Sequence, residues 1–254
     1  MPTSNSRFVW FDLMTPDANA STRFYTQLFG WSTVPSKDGP YLHLQAGDKM
    51  FGGIQPMQPG QHMPSHWMGY LSVENVDAVC DRGVSLGGKV LMPAMNLENV
   101  GRFGVLADGQ GAVTAPFRSS HPDDAPPSRP HPGTICWSEL MTNDTKSAGN
   151  FYKTLFAWAT HEVDMGQMGV YTLFLRAPGD QSSQVAGMMQ MEKNAPYPPF
   201  WLHYVDTKDV DATARRATEM GASIYVPPTD IPNIGRFAVL GDPLGATFGL
   251  FRMG

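Results

Sequence analysis

Apolar and polar side chains alternate over residues 8–13, which predicts a short strand with one buried face. The spacing of apolar residues then changes to four, and Ala20, Phe24 and Leu28 would form one stripe along a helix. Gly30 follows the stripe and is expected to end the helix, because glycine adopts the left-handed conformation of a helix C-terminus at little cost. This stretch therefore predicts a strand followed by an amphipathic helix.

The patterns that follow extend this unit by three strands and then repeat it. Thr15 is the expected N-cap of the first helix, with Pro16 at its first position. A second helix is predicted at about 75–86, where Gly87 and Gly88 stop it. The remaining strand patterns lie at 31–35, 41–46, 51–56, 67–73, 89–92, 102–107 and 112–117. The order strand, helix, strand, strand, strand thus occurs twice.

The second half of the chain repeats the first. Three matches carry the repeat: WFDLMT at 10–15 with WSELMT at 137–142, FYTQLFGW at 24–31 with FYKTLFAW at 151–158, and GRFGVL at 101–106 with GRFAVL at 235–240. A repeat this long predicts two copies of one domain, since it exceeds the length of a solenoid unit. The second copy has extra residues between Ala159 and Ala186, and its helices are predicted at about 144–156 and 209–220.

A proline-rich segment at 119–132 separates the copies, because proline restricts φ and lacks an amide donor. We expect a first domain at 1–118 and a second at 133–254. Each would be an α+β domain of two βαβββ modules, which gives four modules in the chain. Helices cover one face of such a sheet and leave the other open. Two modules side by side are therefore expected to form a curved eight-stranded cup suited to a small molecule.

Composition and charge indicate which classes of binding partner and which cellular compartment to expect. The 254 residues carry a net charge of −5 with Lys and Arg scattered, which argues against nucleic acid or a membrane surface as a partner. No apolar run reaches the roughly 18 residues that span a bilayer, and the opening MPTSNSR lacks the pattern of a secretory signal. Cys80 and Cys136 occupy non-equivalent places in the two copies, so no disulfide framework is expected. We predict a cytoplasmic protein with a small-molecule ligand, either a monomer whose domains pair internally or a homodimer.

The repeated motifs resemble those of the vicinal oxygen chelate superfamily, which includes glyoxalase I, bleomycin-resistance proteins and extradiol dioxygenases. The resemblance rests on three pairs of segments: FYxxLFxW at 24–31 and 151–158, GRFxVLxDxxGA at 101–112 and 235–246, and the Asp-Pro-x-Gly-like turns DGQG at 108–111 and DPLG at 242–245. Tandem two-domain members look most similar, among them a mycobacterial culture-filtrate antigen group and actinobacterial chains often labelled hydroxylases. The resemblance implies the fold and leaves the reaction open, since one scaffold supports many chemistries.

The resemblance also implies where a metal would be bound. Catalytic members hold a divalent ion through His, Gln or Glu on the first and last strands of each module. Those positions correspond to Trp10, Gln55, Met68 and Ala115 in the first copy and to Trp137, Met189, Leu202 and Gly249 in the second. Only Gln55 is a good ligand, and a catalytic metal usually takes three or more. We therefore expect no metal and no other cofactor; the alternative is a divalent metal held by His43, His66 and Gln55.

The tryptophans at these positions predict apolar, aromatic cups. Strand alternation puts Asp12 on the same face as Trp10 and Glu139 on the same face as Trp137. Asp12 and Glu139 are therefore candidates to anchor a polar group of a ligand or to act as a catalytic general base. The alternative is an acid at the solvent rim, or one bonded to a neighbouring backbone amide.

Two further matched pairs have alternative interpretations. The hydroxyls of Tyr70 and Tyr204 are candidate ligand contacts, with plain packing as the alternative. Arg102 and Arg236 could bind an anionic ligand or form surface salt bridges. The full set of candidate ligand-binding residues is Trp10, Gln55, Met68, Tyr70, Trp137, Met189 and Tyr204.

Three functions compete on this basis. The first is a metal-free binding protein of the bleomycin-resistance kind, which holds a small hydrophobic or aromatic metabolite. The second is a metal-free isomerase or hydroxylase-like enzyme that uses Asp12 or Glu139 as its base. The third is a divalent-metal-dependent enzyme with atypical ligands, either similar to lactoylglutathione lyase or a dioxygenase. The replacement of the metal-ligand positions favours the first function.

Overall fold

The computed structural model describes residues 6–37, 39–58, 60–61, 63–121 and 133–254. Residues 122–132, which make up most of the predicted linker, lie outside this range. The first module contains β1 (Phe8–Thr15), α1 (Ala18–Phe29), β2 (Ser32–Pro35), β3 (Leu42–Ala46) and β4 (Lys49–Pro56). The second contains β5 (His66–Ser72), α2 (Val76–Ser85), β6 (Lys89–Leu97), β7 (Gly101–Ala107) and β8 (Val113–Ser119).

The second half of the chain repeats this order of elements. Its first module contains β9 (Ile135–Thr142), α3 (Thr145–Phe156), β10 (Ala159–Asp164), β11 (Val170–Leu175) and β12 (Gln184–Gln190). Its second contains β13 (Phe200–Asp206), α4 (Val210–Glu219), β14 (Ser223–Ile231), β15 (Gly235–Gly241) and β16 (Thr247–Met253). Two short 3₁₀ turns, at Gly166–Met168 and Gln181–Ser183, lie in the longer part of the second copy.

The strands form two mixed eight-stranded sheets, one from each sequence copy. Their orders are β2-β3-β4-β1-β5-β8-β7-β6 and β10-β11-β12-β9-β13-β16-β15-β14. In every module the first and last strands run parallel, and the last three strands are antiparallel neighbours. The α+β class and the four tandem βαβββ modules predicted from the sequence are therefore confirmed. The domain limits at 118 and 133 stay a prediction.

Contacts divide the chain into two compact units, and each unit contains one module from each copy. One unit comprises the described residues of 1–9, 69–126 and 137–201, and the other those of 10–68, 127–136 and 202–254. The core of the first unit includes Leu71, Leu106, Tyr152, Phe174 and Trp201. Fully buried side chains of the second include Leu13, Tyr25, Leu44, Ile54 and Leu250.

The N-terminus of α1 corrects one prediction. The cap is Asp17, whose carboxylate accepts the N–H of Ala20 at 2.9 Å, and Thr15 is the last residue of β1. The hydroxyl of Thr15 is buried, lies 2.9 Å from that of Ser21 and accepts the N–H of the cap residue Asp17 at 3.3 Å, so it does not reach the amides of the first helical turn. The prediction of Thr15 as the N-cap was wrong, because the exposed Asp17 accepts the first-turn amide instead.

Strand β6 is longer than the sequence pattern predicts. The prediction ended at Met92, yet the strand continues through Pro93 to Leu97. β6 is the edge strand of its sheet, and a proline at an edge removes no hydrogen bond from the ladder. The other edge strand of this type, β14, likewise contains Pro227 and Pro228.

Two reciprocal hydrogen bonds join the copies inside the two units. The hydroxyl of Tyr25 in α1 donates to Asp242 Oδ2 at 3.0 Å and accepts the indole N–H of Trp67 at 3.0 Å. The equivalent Tyr152 in α3 donates to Asp108 at 3.1 Å and accepts from Trp201 at 3.1 Å. Each copy thus supplies the tyrosine of its helix to the aspartate turn of the other copy.

The electrostatics of these bonds keep the phenols protonated. Burial raises the pKa of Tyr25 and of Tyr152 well above its ordinary value, and the neighbouring carboxylates of Asp242 and Asp108 raise it further. Burial also raises the pKa of Asp242. Both phenols are therefore protonated at neutral pH and donate to the carboxylates.

His203 in β13 makes stability depend on pH. It is 1% exposed, its ring lies edge-on to Phe11, and burial lowers its pKa from 6.5 to about 3. Its contribution is fully present above pH 6.5 and is lost as the pH falls towards 3, because only the unfolded chain binds the proton in that window. We expect the free energy of unfolding to fall by up to about 1.4 kcal/mol per pH unit there. Urea titrations on both sides of pH 6.5 should show this slope in the wild type and in His66→Gln, and a smaller one in His203→Leu; equal slopes in all three would contradict it.

Candidate functional site

A hydrogen-bonded cluster of three side chains lies on β1 and immediately before β3, on the face of the sheet opposite the helix. The indole N–H of Trp10 lies 2.9 Å from Asp12 Oδ1 and 2.8 Å from the hydroxyl of Tyr41. The same hydroxyl donates to Asp12 Oδ1 at 2.6 Å. Asp12 is 7% exposed, whereas Trp10 and Tyr41 are partly exposed. The carboxylate thus fixes two aromatic rings whose surfaces reach solvent.

The second copy contains the equivalent cluster. Trp137 Nε1 donates to the hydroxyl of Tyr171 at 2.8 Å, and that hydroxyl bonds to Glu139, which is 8% exposed. Burial, and then the charge of Glu139, raises the pKa of Tyr171 well above its ordinary value. The phenol therefore stays protonated and donates to the carboxylate. We call the two sets the Trp–acid–Tyr clusters.

A glycine on the strand between acid and tyrosine makes each cluster possible. The register aligns Asp12 with Gly53 on β4 and Glu139 with Gly187 on β12. A Cβ built on Gly53 would overlap the hydroxyl end of Tyr41, and one on Gly187 would overlap that of Tyr171. The phenol therefore crosses the bare backbone of one strand to reach the acid on the next.

The structure shows where the two candidate acids lie. The predicted shared face of Trp10 and Asp12 is observed as a hydrogen bond. The alternative of an acid at the solvent rim was wrong, because Asp12 and Glu139 are almost fully buried. Sequence reasoning missed Tyr41 and Tyr171. Their signal was available, since both copies have a tyrosine at the start of the third strand of the module and a glycine on the fourth.

The second modules carry aromatic groups on the corresponding face. Tyr70 packs at 6.0 Å from Phe103 and 6.2 Å from Phe117. In the other copy, Tyr204 lies 6.4 Å from Phe237. Tyr70 is partly exposed, but Tyr204 is buried and its ring fills the space that a Cβ on Gly249 would occupy. The packing interpretation therefore fits Tyr204 best.

The remaining predicted contacts lie on the same strands and differ between copies. Gln55 on β4 is partly exposed, and its amide donates to Pro56 O at 3.0 Å. Met189 on β12 pairs in register with Tyr171 on one side and Met141 on the other. Met68 on β5 is also partly exposed. One copy thus has an amide at this position and the other has a thioether.

The donor groups present do not fit a family-type metal centre. The positions that the sequence resemblance assigns to metal ligands hold the indoles of Trp10 and Trp137, the ring of Tyr204 over Gly249, and one carboxamide at Gln55. Among the described residues, no group of three or more His, Cys, Asp or Glu side chains is placed to hold a metal ion. His66 Nδ1 lies 2.8 Å from the carbonyl of Pro64, outside such a group.

Two arginines and one cysteine that could take part in binding or catalysis have other structural roles or are unreactive. Arg102 and Arg236 form bidentate salt bridges with Asp77 and Asp211, which agrees with the salt-bridge interpretation. Burial raises the pKa of Cys136 to about 12, so its thiol is not a nucleophile at neutral pH. Within the part of the chain that the structure describes, no helix has the length and apolar character needed to cross a membrane.

Comparison with known proteins agrees with this architecture. The family model of the Glyoxalase/Bleomycin resistance protein/Dioxygenase superfamily matches residues 7–117 and again 134–250. The putative glyoxylase CFP32 of Mycobacterium bovis is 35% identical over 249 residues, covering 96% of this chain and 93% of that protein. The anthracycline biosynthesis protein DauV of Streptomyces sp. strain C5 is 34% identical over 260 residues, covering 96% and 92%.

Solved structures of low sequence identity share the fold. The Mn(II)-bound glyoxalase of Novosphingobium aromaticivorans has a TM-score of 0.65 at 14% identity, covering 97% of this chain and 83% of that one. The 2,2',3-trihydroxybiphenyl 1,2-dioxygenase of Sphingomonas wittichii has a TM-score of 0.65 at 11% identity, covering 98% and 91%. Fold and motifs define a tandem glyoxalase-like protein. The chain belongs to the Glyoxalase/Bleomycin resistance protein/Dioxygenase superfamily.

Proposed function

We propose that this chain is a small-molecule-binding member of its family that works without a metal and holds hydrophobic or aromatic compounds against its Trp–acid–Tyr clusters. The observation that carries the proposal is the duplication of the cluster on the open face of both sheets. Each cluster holds an indole and a phenol in fixed positions, with part of both rings exposed. Rigid, partly exposed aromatic rings favour planar apolar ligands, which gain from stacking and from burial of their surface.

The polar atoms of the clusters are already bonded within the protein. The indole N–H of Trp10 and the hydroxyl of Tyr41 both meet Asp12. A ligand that covers these rings therefore leaves no buried polar group without a partner, and desolvation of the cluster costs little. This supports binding of an apolar surface in preference to a strongly polar one.

The chemistry of the donor set supports independence from metal. Indole and methyl groups do not coordinate divalent ions, a thioether is a poor ligand for hard ones such as Mn²⁺, and a single Gln55 amide falls short of the usual three protein ligands. Lewis-acid chemistry of the family type therefore has no supporting side chains at those positions. A metal bound by His43, His66 and Gln55 remains the third candidate.

The geometry favours a positioning role for Asp12 and Glu139 over a role as general base. A base needs a carboxylate oxygen that can take a proton from the substrate. Asp12 Oδ1 already accepts two hydrogen bonds, and Glu139 accepts one from Tyr171. The metal-free enzyme is therefore our second candidate.

Names of relatives are compatible with an aromatic ligand. Two similar proteins are called anthracycline biosynthesis proteins, and anthracyclines contain fused aromatic rings.

A cytoplasmic monomer also remains part of the proposal, supported by the Tyr25–Asp242 and Tyr152–Asp108 bonds that pair the two copies within one chain.

The test is calorimetric titration with anthracene sulfonate, a planar aromatic probe, in buffer containing EDTA. We expect saturable binding by the wild type, with half of the sites lost in Trp10→Leu and half in Trp137→Leu. Loss of a stacked indole should weaken a site about tenfold or more. The variant with both replacements should show no remaining saturable binding.

Trp158→Phe is the matched control. Trp158 is 3% exposed and its Nε1 donates to Ser6 O at 3.1 Å, so its replacement should lower stability and leave binding unchanged. Binding that disappears in EDTA and returns with a transition metal would favour the metal-dependent candidate. Unchanged affinity in the Trp10→Leu, Trp137→Leu double variant would overturn the proposal.

A further inference from the structure

The surroundings of the two Trp–acid–Tyr clusters differ at the strand next to the glycine. In the first copy the register aligns Asp12, Gly53 and His43 across β1, β4 and β3. In the second copy the same register aligns Glu139, Gly187 and Leu173. An imidazole therefore stands on one open face at the position where the other has an isobutyl group.

Two aromatic rings lie against the imidazole of His43. Its ring lies edge-to-face with Tyr41 at 5.0 Å and with Trp10 at 6.1 Å between centroids. Among the described residues it forms no hydrogen bond, and its Nδ1 is fully enclosed without a partner. Buried polar atoms without partners are uncommon in folded proteins because each costs stability. A ligand cannot relieve this cost, because Nδ1 is enclosed, so the hydrogen-bonding capacity that a ligand can meet is that of the other ring nitrogen.

The enclosure of Nδ1 decides which nitrogen faces a ligand. Among the described residues, Nε2 of His43 also has no hydrogen-bond partner, but it is not enclosed. A neutral imidazole carries one N–H, and the hydrogen-bond partners available fix its position. The proton on Nε2 is favoured, since it then lies where an acceptor can reach it. His43 thus offers a donor at the margin of the aromatic surface made by Trp10 and Tyr41.

A second polar group lies on the same face. Gln55 is two residues from Gly53 along β4, so both point to the open face, and its position is diagonal to His43 across the strand pair. The bond from Gln55 to Pro56 O uses one amide proton and leaves the rest of the amide available. The second copy has Met189 there, so its face is apolar at both positions.

We infer that the two copies have different ligand preferences: the first selects planar aromatic compounds that carry an oxygen acceptor, such as a quinone or aryl ketone carbonyl, through a hydrogen bond from His43, and the second binds aromatic surface without this selection. The inference rests on the proposed function and adds the chemical class of ligand and the copy that recognises it. It requires no metal and no chemical step.

Two probes of similar shape distinguish the contribution of a carbonyl acceptor to binding from that of the aromatic ring system. Anthraquinone sulfonate carries two ring carbonyls, and anthracene sulfonate has none. Calorimetric titration of Trp137→Leu measures the first copy, and titration of Trp10→Leu measures the second. We expect the first copy to prefer the quinone by about tenfold, the usual effect of one hydrogen bond, and the second copy to show no preference.

His43→Leu in the Trp137→Leu protein should remove the preference and retain binding of anthracene sulfonate. This variant has a precedent within the chain, because Leu173 occupies the equivalent place. Leu173→His in the Trp10→Leu protein should introduce a preference for the quinone. An unchanged preference after His43→Leu would overturn the inference and leave the proposed function intact. Failure of the wild type to bind either probe would overturn both.

Discussion

Asp242→Ala is expected to lower the free energy of unfolding by about 3–5 kcal/mol, among the largest effects of any single replacement in this chain. Asp242 Oδ1 accepts the backbone N–H groups of Leu244 and Ala246, each at 2.9 Å, and Oδ2 accepts the hydroxyl of Tyr25. Truncation removes three bonds and leaves buried donors without partners. Asp242 is 5% exposed, so water replaces these bonds poorly. Urea titration followed by circular dichroism measures the loss.

Two further variants show whether the effect belongs to the reciprocal bonds. Asp108→Ala should cost a similar amount, because Asp108 accepts the equivalent bonds from Gln110, Ala112 and Tyr152. Asp17→Ala removes an exposed helix cap and should cost only about 1 kcal/mol. A loss in Asp242→Ala no greater than that in Asp17→Ala would show that the turn does not hold the two copies together.

The sequence predicted the fold well because its periodicities are local and occur four times. Alternation in the strands and the four-residue stripe at Ala20, Phe24 and Leu28 report which face of each element is buried, and duplication allowed each assignment to be checked. The misses were at ends of elements. The cap of α1 depended on whether Thr15 or Asp17 reached the amides, and the length of β6 depended on its place at the sheet edge. Neither is encoded in periodicity.

Half of the candidate site was predictable for the same reason. Asp12 and Trp10 are two residues apart on one strand, so alternation alone places them together. Tyr41 lies far from Asp12 in sequence and reaches it across β4. Prediction of this contact would have required knowledge of the strand order and of the space left by the absent side chain at Gly53. The exchange of Tyr25 with Asp242 is likewise a tertiary event. The helix motif that contains Tyr25 and the turn motif that contains Asp242 were recognised as family signatures, but the sequence did not indicate that the two residues form a hydrogen bond.

Gly53 tests how much the first Trp–acid–Tyr cluster depends on bare backbone. A Cβ at this position would overlap the ring and hydroxyl of Tyr41, which two hydrogen bonds hold in place. Displacement of the phenol would break both bonds and leave Asp12 poorly satisfied. The same reasoning applies to Gly187 under Tyr171. At Gly149 in α3 the nearest side-chain atom, on Met188, would lie at an ordinary 3.5 Å.

We therefore expect Gly53→Ala to lower the free energy of unfolding by about 2–4 kcal/mol and to weaken binding of anthracene sulfonate at the first copy about tenfold, while the second copy keeps its affinity. Gly149→Ala is the opposite control, since alanine in a helix with room for its methyl group should raise stability by about 0.5–1 kcal/mol. Calorimetric titration in the Trp137→Leu background and urea unfolding measure the two effects. If Gly53→Ala retained both stability and binding, Tyr41 would not be a fixed part of the ligand surface. A smaller loss of stability with complete loss of binding would instead show that the cluster acts mainly in recognition, because the position of the rings would matter more to the ligand than to the fold.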